Sequence, residues 1–157
     1  SPFRAFAGPG LHRLLRVGSS AAVPIAHLAS PVMRRLLPTD AFFQGSQRIR
    51  YIRPTTDRDA FMAMATDVAS HDHRTYMKTL AALGRHDLRD HLGDFVQPAM
   101  LLAGGKDFLV RPKAVQAIAR QIPRGEARIV PETSHFMHLE DVGAVNAFLD
   151  EFLDSLA

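Results

Sequence analysis

The apolar positions of this chain fall into two contrasting patterns. Over residues 1–96 they come in short clusters interrupted by breakers. Segments 11–15, 21–29 and 31–37 read as brief helices divided by Gly18, Pro24, Pro31 and Pro38. Pro24 falls inside the second of them and weakens its helical pattern. Two more regular helices follow. One is expected to start at Asp57 or Asp59, each a suitable cap, and carries Ala60, Phe61, Met64, Ala65 and Val68 at helical spacing. The other spans about 74–83, with Tyr76, Met77, Leu80 and Leu83 on one stripe, and stops at Gly84. A helical turn at 88–92 closes the region.

Residues 97–157 are far more ordered in pattern. Pro98-Ala-Met-Leu-Leu-Ala103 is a continuous apolar run that ends in Gly104-Gly105, as expected for a strand buried on both faces. Pro112 marks a helix start, and Ala114, Val115, Ile118, Ala119 and Ile122 make a stripe that ends at Pro123. Residues 127–130 form a second short strand, ended by Pro131. Val142, Val145, Phe148, Leu149, Phe152, Leu153 and Leu156 define an amphipathic terminal helix. The order strand, helix, strand, helix predicts two parallel strands joined by a right-handed crossover. Parallel strands are covered on both faces, and two are too few to support that, so the pattern predicts a larger sheet of which these are one part.

Composition sharpens this picture. A chain of 157 residues, 46% hydrophobic and 22% charged, suits one domain of ordinary size and argues against wholesale disorder. With no cysteine, disulfides, zinc-thiolate sites, iron–sulfur clusters and a thiol nucleophile are excluded. No run approaches the roughly 20 apolar residues of a membrane span, and residues 1–6 do not look like a secretory leader, so the expected compartment is the cytoplasm. The first residue is Ser1 and not Met, which points to processing or to a piece of something longer. Nineteen basic against sixteen acidic residues give +3, but only three of the basic ones are lysines. The arginines are scattered, with local density at Arg34-Arg35 and at Arg48, Arg50, Arg53 and Arg58. No aromatic ladder accompanies them, so a solvated face is expected and no nucleic-acid partner.

In open parallel sheets, ligands and reactive groups gather at the carboxyl ends of strands. Two titratable residues sit there: Asp107, just beyond the first strand, and His135, just beyond the second. Adjacent parallel strands would set their loops side by side. A carboxylate can orient an imidazole and stabilise its charged form, while the imidazole serves as base and then acid. By spacing alone, a surface aspartate and a buried or exposed histidine is the more common outcome.

The residues from Pro98 through Gly104-Gly105-Lys106-Asp107, the helix that follows, and then Ala127-Arg-Ile-Val-Pro-Glu-Thr-Ser-His135-Phe-Met-His-Leu-Glu-Asp141 resemble the C-terminal quarter of an α/β-hydrolase fold enzyme. The resemblance is specific over residues 95–153. It implies an α/β fold of hydrolase type, with only the last two strands and helices of the parallel sheet present over 96–157 and a mostly helical cap over 1–95. It also implies that Asp107 is the triad acid and His135 the triad base. Function would then be that of a serine-type hydrolase acting on a carboxylic ester or similar acyl compound, esterase- or lipase-like, with no metal and no organic cofactor. Its partners would be a small acyl substrate and the N-terminal half of the hydrolase, without which the chain is inactive.

One part of the family pattern is absent. No Gly-x-Ser-x-Gly elbow occurs; the nearest approach is Gly18-Ser19-Ser20-Ala21-Ala22. Leu14-Leu15-Arg16-Val17 makes a poor strand before it, and nineteen residues are too few for the strands and oxyanion loop that should precede it, so Ser20 is expected to be a turn or cap serine. The nucleophile is expected in a missing N-terminal half. Other candidates rank lower. His71-Asp72-His73, with His86 and His91, lacks helical ligand spacing and reads as a solvated helix start. His138 is the competitor to His135. Ser1, with its own amine as base, is a formal N-terminal nucleophile that Pro2 disfavours. Phe3, Phe6, Phe42, Phe43 and Phe61 read as core, some of them suited to an apolar acyl pocket within a cap. The alternative to the enzyme is a non-catalytic binding or interaction domain that keeps a remnant of the fold.

Overall fold

The computed structural model describes residues 26–83 and 87–157. The segment placed at 11–15 and residues 21–25 of the segment placed at 21–29, together with Ser1, Phe3, Phe6, Ser20 and His86, lie outside the described residues. Among the described residues four helices come first: α1 (Ala26–Leu36), α2 (Asp40–Arg48), α3 (Arg58–Ser70) and α4 (His73–Leu83). A 3₁₀ turn, Arg89–Asp94, leads to β1 (Ala99–Gly104), α5 (Pro112–Ala119), β2 (Gly125–Val130), α6 (Met137–Glu140) and α7 (Val142–Asp154).

Two compact units are present. The first contains α1 to α4, and the second joins Arg50–Thr56 to Asp87–Ala157. In the first, α1 packs against α3 and α4. Phe61 is the central side chain, 1% exposed, with the rings of Phe42 and Phe43 at 6.0 and 5.8 Å. Phe61 is the core residue of the three, and Phe42 and Phe43 are half-buried against it. The caps are those that local chemistry favours: Asp57 accepts the N–H of Ala60 at 2.8 Å, and Asp72 accepts the N–H groups of Arg74 and Thr75.

Two expectations change in this unit. Pro31 does not divide two helices; α1 runs through it. Proline removes one donor to the carbonyl four residues back, and here the helix absorbs that loss. Helix α2 was not foreseen, because Asp40–Arg48 has no sustained apolar stripe. It is nucleated by its cap, Thr39, whose Oγ1 accepts the N–H of Phe42 at 3.2 Å and donates to the carbonyl of Leu36 at 2.6 Å.

The second unit is built on a parallel pair, in register from Ala99 opposite Gly125 to Gly104 opposite Val130. Helix α5 lies against both strands and α7 against β2, burying Ala103, Val130, Ala114, Val115, Ala119 and Val145. Ile52, from the segment between α2 and α3, is 1% exposed in the same unit. The strands are not buried on both faces as expected. Residues 99–102 are half-buried and in β2 only Val130 is fully buried, since a two-stranded sheet is too narrow to be covered throughout. Among the described residues no helix is long and apolar enough to cross a membrane.

Arg50, which opens the 50–56 segment, has φ of 61°, a left-handed conformation that costs a residue with a Cβ about 1–2 kcal/mol. Arg50→Gly removes that strain. It is expected to raise the unfolding free energy by up to about 1 kcal/mol after glycine's own entropy cost, and Arg50→Val to lower it, as read by urea denaturation.

Candidate active site

The loops that follow β1 and β2 are held together by backbone. Gly105 donates its N–H to the carbonyl of Val130 at 2.7 Å, and Lys106 donates to the carbonyl of Thr133 at 2.8 Å. Such closeness requires glycine. A Cβ on Gly104 would sit 2.0 Å from the Ser134 oxygen, and one on Gly105 2.0 Å from the Pro131 oxygen. The paired glycines let two successive peptide planes lie directly against the second loop.

That approach brings together Asp107 and His135, 28 residues apart in sequence, with Asp107 Oδ2 accepting the Nδ1–H of His135 at 2.8 Å. The other oxygen, Oδ1, accepts the N–H groups of Leu109 and Val110 at 2.8 and 2.9 Å. Asp107 is thus both the anchor of its own turn and the partner of the imidazole. Its side chain is 4% exposed, whereas that of His135 is 42% exposed. A carboxylate only accepts, so it assigns the proton to Nδ1 and leaves the lone pair on Nε2. Among the described residues Nε2 has no hydrogen-bond partner. The hydrogen bond that His135 donates to Asp107 raises the His135 pKa above its ordinary value; partial burial opposes this and the carboxylate charge adds to it. The surroundings are aromatic: Phe136, 6% exposed, meets His135 edge-on at 5.5 Å, Tyr51 meets Phe136 edge-on at 5.0 Å, and Phe108 lies 6.4 Å from Tyr51.

Neither protein-family models nor curated proteins match the sequence. Solved structures do. An enol-lactonase from Burkholderia xenovorans matches at 20% identity and TM-score 0.63, over 90% of this chain and 51% of its own. A hydrolase from Pseudomonas aeruginosa matches at 24% identity and TM-score 0.64, over 95% and 52%. A thermophilic esterase from Thermogutta terrifontis matches at 20% identity and TM-score 0.57, over 97% and 53%. The chain has the α/β-hydrolase fold. It spans about half the length of the α/β-hydrolase structures it matches, and the last two parallel strands and their helices are the part of the sheet that it contains.

Within this α/β-hydrolase framework the remaining candidates are dispersed. His138 is exposed, its ring tilted 6.3 Å from Phe136, and it does not join the Asp107–His135 pair. His71 ends α3 with Nδ1 at 2.7 Å from the carbonyl of Asp67. His73 is not solvated as expected. It is 6% exposed at the start of α4, and its Nδ1 has no hydrogen-bond partner among the described residues. His91 is exposed beside Asp94 at 3.4 Å. No group of three or more His, Asp or Glu suited to a metal occurs among the described residues. In the arginine-dense stretch, Arg58 pairs with Asp40 and Asp59, and Arg53 reaches Glu132 at 3.8 Å.

One cluster beside the α/β-hydrolase loops escaped sequence reasoning. Glu140 Oε1 accepts three hydrogen bonds, from the Arg53 N–H at 2.8 Å, the Thr56 hydroxyl at 2.9 Å and the Ser134 hydroxyl at 2.6 Å. Its Oε2 accepts the Ser134 N–H at 2.5 Å. The only sequence signal was the Leu139-Glu140-Asp141 run, which resembles a closing element and says nothing of partners 84 and 87 residues away.

Proposed function

We propose that this chain supplies the cap and the acid–base pair of a serine-type hydrolase that cleaves carboxylic esters or similar acyl compounds. The observation that carries the reading is the His135 Nδ1–Asp107 Oδ2 bond of 2.8 Å, made by a buried carboxylate to a half-exposed imidazole. The fold supports it, since the matched structures include an esterase and a lactonase, and this chain spans about half of each.

The nucleophilic serine belongs to the N-terminal half of the hydrolase. Its hydroxyl attacks the acyl carbonyl as its proton passes to His135 Nε2, giving an imidazolium that Asp107 stabilises. The proton then leaves on the departing alcohol as the acyl-serine forms. Water then attacks the acyl carbon as its proton passes to the same nitrogen, and that proton goes to the serine oxygen as the acyl–oxygen bond breaks, releasing the acid and the free serine. Asp107 stays ionised throughout and holds the tautomer. No metal or organic cofactor takes part. Residues 1–95, as cap, shield the acyl group from water and limit its size.

The test is labelling of the assembled enzyme, this chain together with its N-terminal half, by a serine-directed alkyl phosphonate. Intact-mass analysis should find one phosphonate adduct, carried by the N-terminal half and not by residues 1–157. Absence of any adduct, with both halves present and folded, overturns the enzyme reading in favour of a non-catalytic binding domain.

A further inference from the structure

The Glu140 cluster lies on either side of His135 in the main chain. Ser134 precedes His135, and both its N–H and its hydroxyl donate to the Glu140 carboxylate. The same hydroxyl accepts the N–H of Phe136, the next residue, at 3.3 Å. One carboxylate therefore fixes the backbone before His135 directly and the backbone after it through Ser134 Oγ. Ser134 is 1% exposed and Thr56 5% exposed, so these bonds are shielded from competing water. The carboxylate accepts four donors, about the number of its lone-pair sites. Two of the donors come from Arg53 and Thr56, which also bond one another at 3.1 Å, so the clamp ties the His135 loop to the segment between α2 and α3.

From this geometry we infer that Glu140 is a positioning residue, which holds the His135 backbone so that Nδ1 meets Asp107. It deepens the hydrolase reading, because it assigns to that reaction a group that touches neither substrate nor nucleophile. A carboxylate is required and not merely a polar side chain of the same size. In Glu140→Gln an amide oxygen can satisfy the three donors at the Oε1 position, but the amide NH2 then faces the Ser134 N–H, donor against donor. The main chain just before His135 is released.

The readout is the titration of His135, followed by NMR in this chain with labelled histidine, which needs neither substrate nor nucleophile. In Glu140→Gln the His135 midpoint is expected to fall by about half a pH unit or more toward the ordinary histidine value, as the bond to Asp107 loosens. The other charged groups on the two loops are Lys106, Arg111 and Glu132; Lys106 pairs with Glu132 at 3.3 Å, and Glu132 also lies 3.8 Å from Arg53, so the Thr56 variants, which leave every charge in place, are the control for a change of field. Thr56→Val, which removes a donor with little change of shape, should move the midpoint in the same direction, and Thr56→Ser should restore it. A general loss of stability would lower the melting temperature without moving the midpoint of the folded state. An unchanged His135 midpoint in folded Glu140→Gln overturns the inference; where that variant does not fold, an unchanged midpoint in Thr56→Val does so. Failure of phosphonate labelling with these shifts present would instead count against the hydrolase reading alone.

Discussion

His135→Ala is expected to reduce phosphonate labelling and ester turnover of the assembled enzyme by about three to six orders of magnitude, with the chain still folded. The imidazole is 42% exposed and among the described residues its one hydrogen bond is to Asp107, so removing it opens no cavity and strands, of those residues, that carboxylate alone. Asp107→Asn should cost about four orders of magnitude for a different reason. Its Oδ1 still caps the N–H groups of Leu109 and Val110, so the turn survives, but the amide now donates toward His135. Nδ1 becomes an acceptor and the proton moves to Nε2, the nitrogen that must take one. The pH dependence has a definite sign. In the wild type Asp107 raises the His135 pKa above 6.5, so the base form appears, and turnover rises, at higher pH than an isolated histidine would give. In Asp107→Asn the midpoint falls. Stability shows the opposite limb. A raised folded-state pKa contributes stability that is fully present below the unfolded value and is lost as pH rises through the folded one. The wild type should lose that increment on going from acid to alkaline through the His135 midpoint, and Asp107→Asn should not. Unaltered turnover in either variant would sink the acid–base assignment.

Gly104→Ala and Gly105→Ala are expected to produce the largest losses of stability of any single methyl added to the second unit, about 3 kcal/mol each, the upper end of overpacking. Each new Cβ would meet a main-chain oxygen at 2.0 Å, and backbone cannot swing aside as a side-chain tip does. The two loops must separate. Separation weakens the Gly105–Val130 and Lys106–Thr133 bonds and pulls Asp107 away from His135. Thermal unfolding should therefore fall together with the His135 titration midpoint. Gly45→Ala is the contrast. It lies within α2 with nothing within 4 Å of its Cβ position, and is expected to stabilise by about 0.5–1 kcal/mol. If alanine at 104 or 105 were as harmless as at 45, the close approach of the loops would not be what aligns the pair.

Several features of this arrangement were legible in advance because they depend on neighbours in sequence. The apolar run that ends at Gly104-Gly105, the proline at the start of α5 and the stripe of α7 each leave a local, periodic mark. Asp107 and His135 could be singled out because loops at the carboxyl ends of adjacent parallel strands must lie together. Helix α2 could not be seen, since its start rests on a cap and its body on Phe42 and Phe43 packing against a residue of the next helix. The continuity of α1 through Pro31 and the burial of His73 were likewise hidden, because both depend on packing that local propensity does not encode.

By itself, then, the amino-acid sequence determined the strand–helix–strand–helix order, the parallel pairing it entails and the two residues at the strand ends. Those follow from periodicity and chain connectivity, which act over a few residues to a few tens. Only the tertiary structure decided that Arg53 and Thr56 belong with the C-terminal unit, that Glu140 gathers four donors around Ser134, and that two glycines carry the contact which sets Asp107 against His135. A hydrogen bond between residues more than 80 positions apart leaves no periodic trace. It exists because burial makes an unsatisfied donor costly, and the nearest acceptor in space, wherever it lies in the chain, is the one that answers it.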